Sequence, residues 1–286
     1  RRSGGQSMSS VMRVFAGAIL AALSINGVAA DIGHFVRYTD GTTVSYGQRD
    51  GEVIHQLDGA PWDNARKTGL TVKADAVRLL APAVPSKVFA AGFNFDSHLA
   101  DQALPAFPPI FLKLPTSIIG PGAEIIFPAG ATNVHFEGEL VVVIGKTASR
   151  VTADAAGDYI FGVTAGNDVS ARDWQANDLQ WFRGKASDTF GPIGPEIVTG
   201  LNYRDLLLQT RLNGRVVQEQ RTRDHIHDVH AIVSFISQYA TLYPGDVIFT
   251  GTPGQTSAMV PGDRVEVEIE NIGILTNTIG KQITTN

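Results

Sequence analysis

The apolar positions of this chain fall in short runs rather than long stripes. Runs at 87–91, 109–113, 134–145, 159–167, 245–250 and 264–270 have strand length and are bounded by Gly, Pro and Asp. The segment "DRVEVEIEN" alternates strictly, with Val265, Val267 and Ile269 on one face, and predicts a half-exposed strand. Upstream, "HFVRYTDGTTVSYGQRDGEVIHQLDG" is a series of short alternating segments broken by Asp-Gly at 40–41, 50–51 and 58–59, a hairpin signal. Residues 31–80 therefore read as a small β-rich N-terminal module. "LLAPAVPSKVFAAG" at 79–92 reads as a linker entering a main domain that spans 81–286. One helix stands out in "DVHAIVSFISQYATL", with Asp228 as N-cap and Val229, Ile232, Val233, Ile236 and Ala240 as its apolar stripe. A second, shorter helix is expected from Thr152 in "TADAAGDY". The class is α+β and strand-dominated.

Residues 1–30 stand apart. "RRSGGQSMSSV" is polar and rich in Gly and Ser, like a tag or an upstream read-through, with Met8 or Met12 as the start. An Arg, an apolar run from Val14 to Leu23 and a small-residue "VAA" before Asp31 follow the layout of a secretory signal peptide cut after Ala30. The apolar run is short for a membrane span, which needs roughly 20 residues. The expectation is export with no membrane segment in the mature form. The other reading is a cytoplasmic protein with an N-terminal helix.

The 286 residues are 43% hydrophobic and 18% charged, an ordinary globular composition with length for a large core. Net charge is −5, and there is no long basic run, so nucleic acid is a poor partner. Cys is absent, which excludes disulfides, thiol nucleophiles and Cys-ligated zinc.

The stretch "VHFEGELVVVIG" at 134–145 puts two acids at the mouth of an apolar strand. Residues two apart on a strand share a face, so Glu137 and Glu139 project side by side, opposite Phe136, Gly138 and Leu140. Like charges so placed repel, and burial raises the cost. Either they are solvated at a strand end or a cation compensates them. Asp168 ends another apolar run, in "YIFGVTAGNDVSARDWQ". Three carboxylates at strand ends make an all-oxygen set suited to Mg²⁺ or Mn²⁺. Lys113 in "PPIFLKLP", Arg172, and Lys185 in "RGKASDTFGPIGP" sit near strand ends and Gly/Pro loops and would help hold an anion.

Five fragments carry a resemblance. "IFLKLPTSIIGPG", "EGELVVVIGK", "GNDVSARDWQ", "GKASDTFGPIGP" and "PGDVIFTGTPG", in that order from about Val88 to the C-terminus, together resemble the fumarylacetoacetate hydrolase family, including its acylpyruvase and 2-hydroxyhepta-2,4-diene-1,7-dioate isomerase-like members. The resemblance implies a mixed β-sandwich roll that pairs as a homodimer. It implies Glu137, Glu139 and Asp168 as ligands of Mg²⁺ or Mn²⁺. Lys113, Arg172, Gln175 and the Thr252 of "TGTP" would contact a 2-oxo acid, and Lys185 would stand beside the metal. A His with an acid three residues on falls at His98 and Asp101 in "NFDSHLAD". The family usually has Glu at that acid position. Asp is one methylene shorter, so the pair would need a closer backbone approach.

The implied reaction is hydrolysis of a C–C bond in a 2,4-dioxo acid such as an acylpyruvate. The substrate's 1-carboxylate and 2-oxo oxygens would meet the metal, and His98, oriented by Asp101, would deprotonate a water. Attack at C4 would release a pyruvate enolate stabilised by the metal and Lys185. Oxaloacetate-type decarboxylation and 2-hydroxydienoate isomerisation use the same enolate and are the alternatives. A non-catalytic binder of keto acid and metal is the alternative of another class. His34, His55, His135, His225, His227 and His230 receive no role, and "DHIHDVH" reads as an exposed loop and first helical turn.

Overall fold

The computed structural model describes residues 31–99, 101 and 103–284. The segment read as tail and signal peptide lies outside them. Among the described residues no helix is long and apolar enough to cross a membrane.

Strand Gly138–Ile144 is buried at every residue and is the spine of the molecule. It pairs antiparallel with Ile160–Asn167 on one side and with Val247–Phe249 on the other. Its continuous apolar run follows from having both faces covered. Leu140, Val142 and Ile144 join one core cluster with Val163, Ile248, Val267, Ile269 and the helix residues Ile232, Val233 and Ile236. Val141 and Val143 face the other way, against Val88, Ile193, Ile197, Val247 and Phe249.

The sheet around this spine has twelve strands. Its order runs from Lys67–Lys73 through Val53–Leu57, Val44–Asp50, Gly33–Thr39, Gly191–Thr199, Ile160–Asn167, Gly138–Ile144, Val247–Phe249 and Val88–Ala91 to Ile110–Lys113. Arg78–Leu80 pairs beside Gly33–Thr39, and Ile118–Ile119 beside Gly191–Thr199. A five-stranded sheet (Arg215–Arg221, Leu207–Leu212, Arg264–Ile269, Gly273–Gln282, Glu124–Phe127) packs against it. Most pairs are antiparallel. Val247–Phe249 with Val88–Ala91 and Gly273–Gln282 with Glu124–Phe127 are parallel, so the sandwich is mixed. The N-terminal strands continue the main sheet, because Gly33, His34 and Phe35 pair with Thr199, Val198 and Ile197.

Helix Val229–Tyr239 forms where the apolar stripe predicts it, and the Asp228 carboxylate accepts from Ala231 N at 2.8 Å as its cap. Three expectations change. The segment from Thr152 forms only a 3₁₀ turn at Ala156–Tyr159, since a few residues containing Gly157 cannot nucleate a helix without a face to bury. Strand Arg264–Ile269 buries Val265, Val267 and Ile269 as predicted, but Glu266 on its polar face is buried too and pairs with Arg264 at 2.7 Å. The "DHIHDVH" loop is packed rather than exposed, with His225, His227 and His230 each half-buried and hydrogen-bonded.

Candidate active site

The register of the two central strands builds the acid cluster. Gly138 is paired with Asn167, so the next residues outward, Glu137 and Asp168, are neighbours across the ladder, and Asp168 N donates to Glu137 O at 2.8 Å. Glu139 lies one residue inside, on the same face as Glu137. One carboxylate oxygen from each of Glu137, Glu139 and Asp168 lies within 4.8 Å of the others, and all three residues are buried.

Three cations close on this trio. Lys113, the last residue of its strand, donates from Nζ to Asp168 Oδ1 at 2.5 Å and to the Lys185 carbonyl. Lys185, on the single-turn helix Phe182–Ala186, donates to Glu137 Oε2 at 2.7 Å and to Asp168 Oδ2 at 2.8 Å. Arg172, first residue of the short helix Arg172–Gln175, meets Glu137 Oε1 at 2.5 Å and donates to Gln175 Oε1 and Thr256 Oγ1. Buried charge is tolerated here because it is paired and hydrogen-bonded.

The pairing is uneven. Burial pushes the Glu137 carboxyl up, but Lys185 and Arg172 outweigh it and hold the group well below the usual carboxylate range. Glu139 is pushed well up, by burial first and then by repulsion from Asp168 and Glu137. Its hydrogen bond is from Gly251 N, at 2.7 Å to Oε2, and among the described residues it has no ion pair with Lys or Arg. Gly251 has φ +104°, and a Cβ there would strike Asn94, so only glycine brings this N–H to Glu139. Burial also lowers Lys113, while Asp168 and Glu137 outweigh burial at Lys185 and raise it. Three converging carboxylate oxygens, one of them short of positive charge, fit a hard divalent cation held by Glu137, Glu139 and Asp168.

Above the trio lies a cavity of about 50 Å³, lined by Phe93, His98, Glu137, Glu139, Arg172 and Lys185 among others. It opens into an outer vestibule of about 510 Å³ bounded by Phe93, Trp181, His135, Arg172, Gln255 and Thr256. His98, Arg172 and Gln175 border both spaces. Thr252 lines the inner cavity, but its hydroxyl donates to Gly138 O at 2.9 Å and accepts from Gln218 Nε2. It is therefore not free to hold a substrate carboxylate in this arrangement. Lys113, expected to contact substrate, borders neither space and donates to Asp168 instead.

The expected His98–Asp101 pair is not formed. His98, on the one-turn helix Asp96–Leu99, donates from Nδ1 to the Gly254 carbonyl at 2.6 Å, and Asp101 is exposed.

Several supports carried no sequence signal. Gln218, in an ordinary alternating strand, is buried and ties Gly138 N and Thr252 Oγ1 together. Asn167 Oδ1 accepts from Glu137 N at 2.9 Å. Thr256 accepts from Arg172, so its own proton goes to His135 Nδ1, whose Nε2–H donates to Asn133 Oδ1. Burial and the nearby Arg172 push His135 down to about 4, which keeps it a neutral acceptor for Thr256. The Gly251 contact alone could have been suspected, from the Gly-rich "TGTPG".

The family description "Fumarylacetoacetate (FAA) hydrolase C-terminal" matches residues 87–280, and "Rv2993c-like, N-terminal" matches 34–82. The chain is 46% identical over 248 residues to Protein Rv2993c of Mycobacterium tuberculosis, covering 82% of this chain and 94% of that one. It is 39% identical over 217 residues to the mitochondrial oxaloacetate tautomerase Fahd2a of Rattus norvegicus, covering 71% and 69%. The crystal structure of a 2-hydroxyhepta-2,4-diene-1,7-dioate isomerase from Mycobacterium marinum superposes with a TM-score of 0.82 at 44% identity, covering 87% and 98%. With the model match spanning most of its length, the chain belongs to the fumarylacetoacetate hydrolase family.

Proposed function

We propose that this protein is a divalent-metal-dependent enzyme that moves a proton on a short 2-oxo acid, as a keto–enol tautomerase or double-bond isomerase. The observation that carries the reading is the His98 ring. Its Nδ1–H is spent on Gly254, which leaves Nε2, with no hydrogen-bond partner among the described residues, as the proton acceptor beside a cavity that Glu137, Glu139 and Lys185 also line. The oxaloacetate tautomerase relative and the isomerase-like structure favour the same class.

Glu137, Glu139 and Asp168 would hold a divalent ion, which would supply Lewis-acid stabilisation of negative charge developing on the substrate. His98 Nε2 takes a proton from C3. The C–H electron pair becomes the C2–C3 double bond, and the carbonyl pair moves to oxygen. His98 then returns the proton to that oxygen, or to a more distant carbon of a conjugated chain. Lys185, kept protonated by Asp168 and Glu137, sets a fixed positive charge beside the enolate. Arg172 and Gln175, at the rim of both spaces, hold the distal end of the acid. Phe93 and Trp181 wall the vestibule and limit water.

Hydrolysis of a 2,4-dioxo acid is the second reading. It is favoured by the vestibule, which has room for an acyl group and an attacking water. It ranks second because the carboxylate-backed base expected for water activation is not assembled around His98.

The test is an ultraviolet assay of the enol band with oxaloacetate and a small acylpyruvate panel, with Mg²⁺, with EDTA, and with Glu137→Ala. Metal-dependent acceleration of oxaloacetate keto–enol exchange that vanishes in the variant supports the proposal. Irreversible loss of acylpyruvate with carboxylic acid release moves the assignment to hydrolase. Metal binding with every substrate left unchanged removes the enzymatic reading.

A further inference from the structure

The turn that carries His98 grips a single residue, Gly254, on the opposite loop. His98 Nδ1–H donates to Gly254 O at 2.6 Å, and Ser97 Oγ accepts from Gly254 N at 2.9 Å, so both polar atoms of Gly254 are engaged by adjacent residues. The Ser97 hydroxyl proton goes to Gln220 Oε1 at 2.5 Å, and Gln220 Nε2 donates to Asp224 at 3.2 Å. Gly254 has φ +62°, a left-handed conformation that most side chains disfavour. Beneath the turn, the buried Asn94 donates to His227 O and Thr250 O and accepts from His227 N, which fixes where the turn starts. The helix itself is too short to hold its own orientation. Its aim comes from these side-chain and loop contacts.

We propose that the Gly254 carbonyl is the orienting partner of His98, in the place the family resemblance gives to Asp101, and that Ser97 and Gln220 are positioning residues that hold this carbonyl. A carbonyl acceptor fixes the Nδ1–H tautomer as a carboxylate would. Unlike a carboxylate, it adds no counter-charge to the imidazolium. This inference rests on the reading of His98 as the proton carrier, but the tautomer can be measured without any turnover.

The experiment labels the histidines of the full chain with ¹⁵N and reads ring tautomers by NMR, with and without Mg²⁺. The His98 signals are assigned by their loss in His98→Gln. Ser97→Ala, Ser97→Thr and Asp101→Asn are compared in the same spectra and in steady-state turnover. In the wild type and in Asp101→Asn, His98 should stay in the Nδ1–H form. Ser97→Ala should give a mixture of tautomers and lower kcat by about 5- to 10-fold with KM within about 2-fold, and Ser97→Thr should restore most of both. The loss in Asp101→Asn should be smaller than in Ser97→Ala. A tautomer change in Asp101→Asn, or a larger kcat loss there than in Ser97→Ala, assigns the role to Asp101 and overturns the proposal. A wild-type tautomer and kcat in Ser97→Ala overturns it as well. Full activity in His98→Gln with the Nδ1–H signature present in the wild type sinks the proton-carrier role while upholding the Gly254 pairing.

Discussion

The floor and the cap of this site are built by different physics. The floor is Glu137, Glu139, Asp168, Lys113 and Lys185, all buried and four of them at or beside the ends of core strands. The cap is His98, Ser97 and Arg172, carried on helices of four residues and held by loop contacts. A strand buried on both faces fixes its side chains through packing, so the floor is preorganised before any ligand arrives. A single helical turn has no such constraint, and the cap is only as precise as its hydrogen bonds. Precision where charge is stabilised, with adjustable placement where the proton moves, is the lesson of the contrast.

That contrast makes measurable claims. Removing a floor carboxylate should damage stability and activity together. Asp168→Ala leaves Lys113 and Lys185 without a shared buried partner, and chemical denaturation should show a loss of about 3–5 kcal/mol, with turnover abolished. A variant that kept wild-type stability would mean that the floor is wetter than its burial indicates. His98→Gln should do the opposite, lowering kcat by about 10²- to 10⁴-fold while the denaturation midpoint stays put. A shifted midpoint would place the cap among the structural elements.

Acidification should loosen the cap's anchor first. His225 packs its ring on Phe95 with centroids 4.5 Å apart, and burial pushes it down to about 4. An unfolded histidine binds its proton near 6.5, so the unfolded state gains protons first as pH falls. The stability present above pH 6.5 is lost between there and about 4, by up to about 3 kcal/mol. Hydrogen exchange of the Asn94–Leu99 segment should speed up over this window, and His225→Gln should flatten the response. Exchange that is constant from pH 7 to 4.5 would remove His225 as the anchor.

The smallest of these effects is thermodynamic. Mg²⁺ at 100 times its dissociation constant should raise stability by about 2.7 kcal/mol through binding to the native state alone. Calorimetry should register that rise in the wild type and in His98→Gln but not in Glu139→Gln. Equal stabilisation in Glu139→Gln would show that the ion sits elsewhere.

Much of the floor was legible before the structure. Acids at the mouths of "ELVVVIG" and "IFGVTAGND" are expensive unless something compensates them, and that cost marks them in the sequence. The helix at Val229–Tyr239, with its cap and stripe, was legible for the same reason, since local periodicity determines it. The cap was not. His98 and Asp101 are three residues apart, yet the ring turned to Gly254, 156 residues away. Lys113, expected as a substrate contact, turns its side chain to Asp168 rather than to the cavity.

The sequence by itself determined the elements whose information is local: strand-length apolar runs, one capped helix, and the carboxylates that interrupt burial. The tertiary structure decided which groups became partners. Ladder register set Glu137 opposite Asp168, a positive-φ glycine delivered the Gly251 N–H to Glu139, and a loop carbonyl took the His98 proton donor. Such pairings depend on the packing of segments far apart in the chain, and no period or spacing in a single sequence encodes that packing.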